Sequence, residues 1–231
     1  MIAVKNRKVC VVGVGPGDRE LITLKASLMI QSADYVAGFH PALAVIQHLI
    51  LGRTITLDYH NQEAMMQRIL ELSMEGHSCV ICVCGDPSIS ESQLIERIAM
   101  KGLEMDITPG ISSIQSACAR IRLPLERTFL VTFHRRGSIE EEKRQLVAQA
   151  KLGERSLIVL PRPWDFMPPE VARFLLQKKI DPNTKVAVFQ NLTLSNENII
   201  GCTLSEMAES PEAFSDLTVL VIRSDTFDAG S

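Results

Sequence analysis

The 231-residue sequence lacks an excess of charge of either sign: 24 Lys and Arg stand against 27 Asp and Glu, for a formal net charge of −3. No overall positive field draws such a chain to nucleic acid, so any anion site has to be local. It also lacks an apolar run near the ~20 residues that cross a bilayer, and its first residues pass directly into glycine and charge rather than into a cleavable apolar core. A cytoplasmic chain with neither membrane nor nucleic-acid partner is expected. No low-complexity linker and no short-period repeat breaks it up. With 46% hydrophobic residues it can build one large domain or two modest ones, and disorder is not expected.

Catalytic and metal signatures are scarce as well. There is no G-x-x-x-x-G-K-[ST] phosphate loop, no Ser-His-Asp or Cys-His pattern, and His40, His48, His60 and His77 show no ligand spacing. The six cysteines sit mostly inside apolar segments, which suits packing in a reducing compartment better than disulfides. "CVICVC" (Cys79–Cys84) resembles a metal motif, but alternation along a strand turns Cys79 away from the face shared by Cys82 and Cys84. Core packing is the expected role, with no metal.

What is present is alternation of short Val/Ile runs with helical spacing, the pattern of mainly parallel α/β folds. "KVCVVGV", "ADYVAG", "SCVICVCGDPS" and "LEMDITPGISS" read as strands. "LITLKASLMIQSA", with Leu21, Leu24 and Leu28 at helical spacing, "NQEAMMQRILELSMEG", "SESQLIERIAMKG" ended by Gly102, and "IQSACARI" read as helices. After "RLPLER" the pattern restarts with "TFLVTFHRRG", "RSLIVLPRP", "TKVAVFQNL" and "SDLTVLVIRS" as strands, a helix opening on "EEEKR", and "PPEVARFLLQKKI" as another. The "DTFDAGS" tail is expected to be loose. Two successive α/β units are predicted, 1–122 and 123–231.

Three strand ends carry turn residues. "GVGPGD" (Gly13–Asp18) opens like a dinucleotide loop, but Asp18 replaces the third glycine, Glu20 follows, and Pro16 removes a backbone donor. Acids at a helix mouth repel a diphosphate, which argues against an NAD-dependent oxidoreductase. "CGDPSI" (Cys84–Ile89) and "TPGISSIQSA" (Thr108–Ala117) repeat the arrangement with Gly85, Asp86, Gly110, Ser112 and Ser113. Gly, Pro, Asp and Ser without lysine describe a pocket for a polar ligand that is not a polyphosphate.

In this order and at these separations, "VVGVGPGDRELITLKA", "CGDPSI" and "PGISSIQSA" resemble the tetrapyrrole methylase family. "LVTFHRRG", "VFQNLTLSNENIIGCTLSEMA" and "FSDLTVLVI" are similar to its branch that methylates C5 of cobalt-precorrin-7 in cobalamin biosynthesis. The resemblance implies two α/β domains with mainly parallel and mixed sheets, S-adenosylmethionine in the cleft between them, a corrin substrate and a homodimer. Carried over, it places Pro16 beside the cofactor, Gly85, Asp86 and Ile89 on its methionine part and ribose, Ser113 and Ile114 along the same wall, and Leu160, Leu192 and Thr218 on adenine. The branch has "GDPGFYG" where this chain has Ser88, Ile89, Ser90 and Glu91, and "HGR" where it has "HRRG". A family member with another acceptor, a different precorrin methylase or diphthine synthase, is the alternative.

Methyl transfer from a sulfonium to carbon requires alignment and exclusion of water more than a protein nucleophile. A tetrapyrrole carries acetate and propionate groups that guanidinium forks bind, so Arg135, Arg136 and Arg162, at strand ends, are expected to hold substrate. His134 is the candidate for any proton transfer. The chain length leaves no room for a fused decarboxylating methylase domain, so a C15-methylating decarboxylase partner is expected as a separate protein.

Overall fold

The computed structural model describes residues 8–58, 60–89, 91–101 and 104–223. Ser90, Gly102 as a helix end and the tail from residue 224 lie outside them. The chain divides into two compact units, parting between Ser113 and Ile114.

In the first unit, β1 (Lys8–Gly13), β2 (Tyr35–Phe39), β3 (Arg53–Leu57), β4 (Cys79–Val83) and β5 (Glu104–Thr108) form one sheet in the order β3-β2-β4-β1-β5, every pair parallel. All five residues of β4 are buried, as expected of a strand covered on both faces. Cys79, Ile81 and Val83 pack with Met66 and Ile69, while Val80 and Cys82 pack on the opposite side with Ile30 and Ile46, Cys84 at its margin. The "CVICVC" cysteines are therefore split between two faces, as strand alternation predicts. Burial pushes the Cys79 thiol up to about 11 and those of Cys82 and Cys84 up to about 12.

The helices of this unit are α1 (Leu24–Ser32), α2 (His40–Ile46), α3 (Gln62–Met74) and α4 (Ser92–Met100). The leucine stripe expected on α1 does not face the core. Leu24 and Leu28 are 76% and 57% exposed, and Ala26 and Ile30 make the contact. The reason is phase: Arg19–Leu21 forms a separate 3-10 turn capped by Asp18, and α1 starts afresh where Thr23 Oγ1 accepts the Ala26 N–H at 3.1 Å. Leu21 thus never joins the helix. The spacing also passes over α2, only seven residues long, and β3, an edge strand whose "RTITL" is mostly exposed.

The second unit contains α5, which begins at the boundary (Ser113–Arg120), β6 (Thr128–Thr132), α6 (Glu140–Leu152), β7 (Ser156–Leu160), α7 (Pro168–Gln177), β8 (Lys185–Gln190), β9 (Asn198–Thr203), α8 (Leu204–Ala208) and β10 (Thr218–Ile222). Its sheet order is β6-β7-β10-β8-β9, with β6 and β7 parallel and the other pairs antiparallel. Its core joins Phe133, Leu146, Val159, Leu175, Val188 and Leu220. The last strand enters the middle of the sheet against the run of its neighbours. The end of β6, the end of β7, the end of β8 and the start of β10 consequently meet on one edge. The fold is α/β, with one wholly parallel and one mixed sheet. Among the described residues no helix is long and apolar enough to cross a membrane.

Candidate functional site

The three glycine turns leave neighbouring strands at the same level. β1 lies between β4 and β5, with Gly13 opposite Val83 and Val12 opposite Thr108. Beyond the strands, the Gly85 N–H donates to Gly15 O at 2.8 Å and the Gly15 N–H donates to Gly85 O at 3.3 Å. A Cβ on Gly13 would fall 2.5 Å from Gly85 O and 2.7 Å from Gly110 N, and one on Gly110 would meet Gly85 O and Gly13. Backbone therefore packs directly on backbone at Gly13 and Gly110, which only glycine permits, while Gly85 takes the left-handed conformation, φ +67°, that glycine adopts without strain.

Asp86 completes this lock. Its Oδ2 accepts the Gly110 N–H at 3.0 Å, its Oδ1 accepts the Ser88 N–H at 2.7 Å, and the Ser88 hydroxyl donates to it as well. The Ile89 N–H donates to Asp86 O at 3.0 Å, closing the turn. Pro16 is half-buried beside Gly15, Ser113 opens α5, and Ile114 is buried. Asp18, whose Oδ1 accepts the Glu20 N–H at 2.9 Å, works as a cap.

One residue here was marked in the sequence only as a departure. Glu91 follows the GDP turn at the head of α4, where it makes no side-chain cap bond. Burial pushes its carboxyl up to about 7 against the pull of Arg97, and its charge helps to raise the Cys84 thiol. Arg97 itself donates to Gln62 Oε1 at 3.0 Å and pairs with Glu63 at 3.5 Å.

In the second unit one strand edge collects four residues named from the sequence. His134 follows β6, Leu160 ends β7, Leu192 follows β8 and Thr218 begins β10; Thr132 is opposite Leu160 and Thr218 opposite Gln190. Leu160, Leu192 and Thr218 are buried. Burial holds His134 below its ordinary value, with Asp216, just before β10, pulling it back up. Nothing in the sequence pairs residues 134 and 216; the insertion of β10 beside β7 does.

The basic loop after β6 is tied down. Arg135 Nη1 donates to Glu142 Oε1 at 2.7 Å, and Glu142 Oε2 is buried with no hydrogen-bond partner. Arg162 is 12% exposed and its guanidinium is engaged by protein: Nε and Nη2 donate to Asp165 at 2.5 and 2.7 Å, and Nη1 donates to Gly137 O at 2.9 Å. Its fork faces a carboxylate of the chain itself and ties this loop to the one after β7.

The first edge suits S-adenosylmethionine in its chemistry. Its three turns carry carbonyl oxygens, the Asp86 carboxylate and serine hydroxyls, groups that match an amino group and a ribose diol, and no lysine for a polyphosphate. Among the described residues no group of three His, Cys, Asp or Glu could hold a metal ion.

Comparison with known proteins gives a consistent picture. A family model described as tetrapyrrole (corrin/porphyrin) methylases matches residues 8–208. A Methanocaldococcus jannaschii protein named "Probable cobalt-precorrin-7 C(5)-methyltransferase" is 34% identical over 216 residues, 93% of this chain and 97% of the relative. The cobalt-precorrin-4 C(11)-methyltransferase of that organism is 29% identical, over 88% of this chain and 82% of the relative. Among solved structures, a precorrin-6Y methylase from Archaeoglobus fulgidus shares the fold with a TM-score of 0.72 at 22% identity, covering 95% of this chain and all of that one. A uroporphyrin-III C-methyl transferase from Thermus thermophilus, complexed with S-adenyl homocysteine, does so with 0.71 at 19%, covering 94% and 92%.

Proposed function

The chain belongs to the tetrapyrrole (corrin/porphyrin) methylase family, and from that premise we propose that it methylates C5 of cobalt-precorrin-7 on the route to cobalamin. Members of the family are S-adenosylmethionine-dependent methyltransferases, and so is this chain. The observation that carries the reading is the strand edge where Gly13, Gly85 and Gly110 interlock, with Asp86 bonded across them. The relative named for the C5 step, alike along nearly the whole chain, supports that acceptor over others.

When bound, S-adenosylmethionine supplies a methyl group already activated on sulfur. The chain's own task is placement: reacting atoms held at about 3 to 3.5 Å and water kept out. We assign Pro16, Gly85, Asp86, Ile89 and Ser113 of the first unit's edge, with Ile114 next along α5, to the methionine and ribose portions. On the second unit's edge we assign Leu160, Leu192 and Thr218 to adenine. Arg135 and Arg136 take substrate carboxylates, and Arg162 holds their loop through Gly137 O. Carbon methylation at a ring position that bears hydrogen releases a proton; a nitrogen of the His134 imidazole, kept neutral by burial, accepts it.

The proposal includes a homodimer, for which the exposed Leu24 and Leu28 of α1 offer apolar contact, and a cytoplasmic location, which six unpaired cysteines suit. Mass spectrometry of products formed from S-adenosylmethionine and a panel of corrin intermediates tests the acceptor. One methyl added at C5 of cobalt-precorrin-7 is expected. Transfer only to another precorrin, or to a protein acceptor, overturns the C5 assignment while leaving the family intact.

A further inference from the structure

On the second unit's edge, Leu192 sits between two residues whose backbone is left-handed: Asn191 at φ +51° and Thr193 at φ +67°. Asparagine tolerates that region, but a β-branched threonine is strained there and stays only where its surroundings impose it. Those surroundings are polar and specific. Glu197 Oε2 accepts the Thr193 N–H at 2.6 Å and an Arg120 Nη2 hydrogen at 3.1 Å. The Asn191 N–H donates to Leu217 O at 2.9 Å.

Ser215 joins the remaining pieces. Its hydroxyl donates to Asn191 Oδ1 at 2.8 Å and accepts the Leu217 N–H at 3.1 Å. Its N–H donates to Gln190 Oε1 at 3.0 Å, and its carbonyl accepts the Thr218 hydroxyl at 2.6 Å. One serine therefore bonds to the end of β8, the turn that carries Leu192 and the first residue of β10. Glu197 fixes the far side of the same turn.

We propose that Ser215 and Glu197 are positioning residues, which hold the strained turn of Leu192 against the start of β10 and so set the affinity of this edge for the adenosyl group. The inference rests on the methylase reading. Ser215 bonds to Asn191 and Thr218 and Glu197 to Thr193, so the two residues act through the turn of Leu192 and through Thr218. The left-handed threonine is what separates this arrangement from an ordinary satisfied loop: a turn under no demand would relax it.

Calorimetric titration with S-adenosylhomocysteine, paired with thermal melting, tests this on the full chain. Ser215→Ala and Glu197→Ala are expected to weaken binding about tenfold, the loss of one strained conformer. Glu197→Gln keeps an acceptor for the Thr193 N–H and is expected to stay within about threefold of the parent. Thr193→Gly added to Glu197→Ala is expected to recover most of the affinity, because glycine occupies positive φ without strain. Folded Ser215→Ala and Glu197→Ala proteins that bind as tightly as the parent overturn the inference, and so does a double variant that recovers nothing. A parent chain that fails to bind S-adenosylhomocysteine overturns the methylase reading itself, and this inference with it.

Discussion

The two strand edges are built by opposite means. In the first unit three turns are locked by backbone against backbone, with Gly13 and Gly110 leaving no room for a Cβ and Gly85 held at φ +67°. In the second the strand ends are held by side chains, Ser215, Asn191, Glu197 and Arg120, around a turn that carries strain. A lock of the first kind admits one residue type at each position. A lock of the second kind is a network in which each member can be exchanged at moderate cost. The first edge is therefore expected to be brittle and the second tunable.

Breaking the glycine lock gives the largest effect expected at either edge. In Gly110→Ala the new methyl meets the Gly85 carbonyl and Gly13, both backbone, so a loop must move; a loss of about 3 kcal/mol or more follows from overpacking of this kind. Gly201→Ala on β9 is the control, since its Cβ would meet nothing within 4 Å. Urea denaturation of the two variants and titration with S-adenosylhomocysteine decide it: a Gly110→Ala protein as stable and as tight as Gly201→Ala dissolves the contrast.

The same contrast explains how much was legible in the sequence. Glycine, proline and aspartate in the three turns have few other uses at a strand end, so "GVGPGD", "CGDPSI" and "PGISS" stand out and point to the site. Ser215, Asn191, Glu197 and Asp216 are residues common in any loop, and they gain meaning only when β10 enters between β7 and β8. The strands with continuous apolar runs were readable, whereas β3 and β9, exposed along much of their length, were not. The α1 leucines misled for a local reason, because a 3-10 turn resets the helical phase after Leu21. Arg162 reads as a free fork until Asp165 and Gly137 are seen to occupy it.

The edges also differ in the sign of their response to pH. Glu91 beside the GDP turn has a folded value near 7 against an ordinary 4.5, so the folded chain binds the extra proton between those values. Its full stability is present below about pH 4.5 and falls as pH rises through 7. Glu91→Gln is expected to gain about 2 to 3 kcal/mol over the parent at about pH 8 and nothing at about pH 4.5. His134 has a folded value lowered from 6.5, so the unfolded chain binds its proton first and stability drops as pH falls below about 6.5. Denaturation midpoints across this range measure both. An Glu91→Gln profile parallel to that of the parent sinks the assignment for the first edge.

Arg162 tests whether the basic loop belongs with the side-chain network. Arg162→Lys keeps the charge but loses the fork that spans Asp165 and Gly137 O, at a cost of about 1 to 2 kcal/mol. The loop that carries Arg135 and Arg136 should loosen, raising KM for the corrin substrate while the affinity for S-adenosylhomocysteine holds. A fall in kcat with KM unmoved removes the loop from substrate binding.

The smallest effect expected is a gain. Thr193 sits at φ +67°, where its branched Cβ is disfavoured, and its N–H is already satisfied by Glu197. Thr193→Gly with Glu197 intact removes the strain but adds freedom to the unfolded chain, and the two terms oppose each other at roughly 1 to 3 and 0.4 to 1 kcal/mol. The strain term is the larger, so a net gain of about 1 kcal/mol is expected, seen as a rise in Tm. In the first unit the reverse exchange, Gly85→Thr at φ +67°, adds the same strain at a turn that glycine holds without any. It should cost stability outright. Equal and opposite shifts in the two variants would mean that backbone conformation alone governs both edges. A loss at Gly85 much larger than the gain at Thr193 assigns the excess to the lock of three turns.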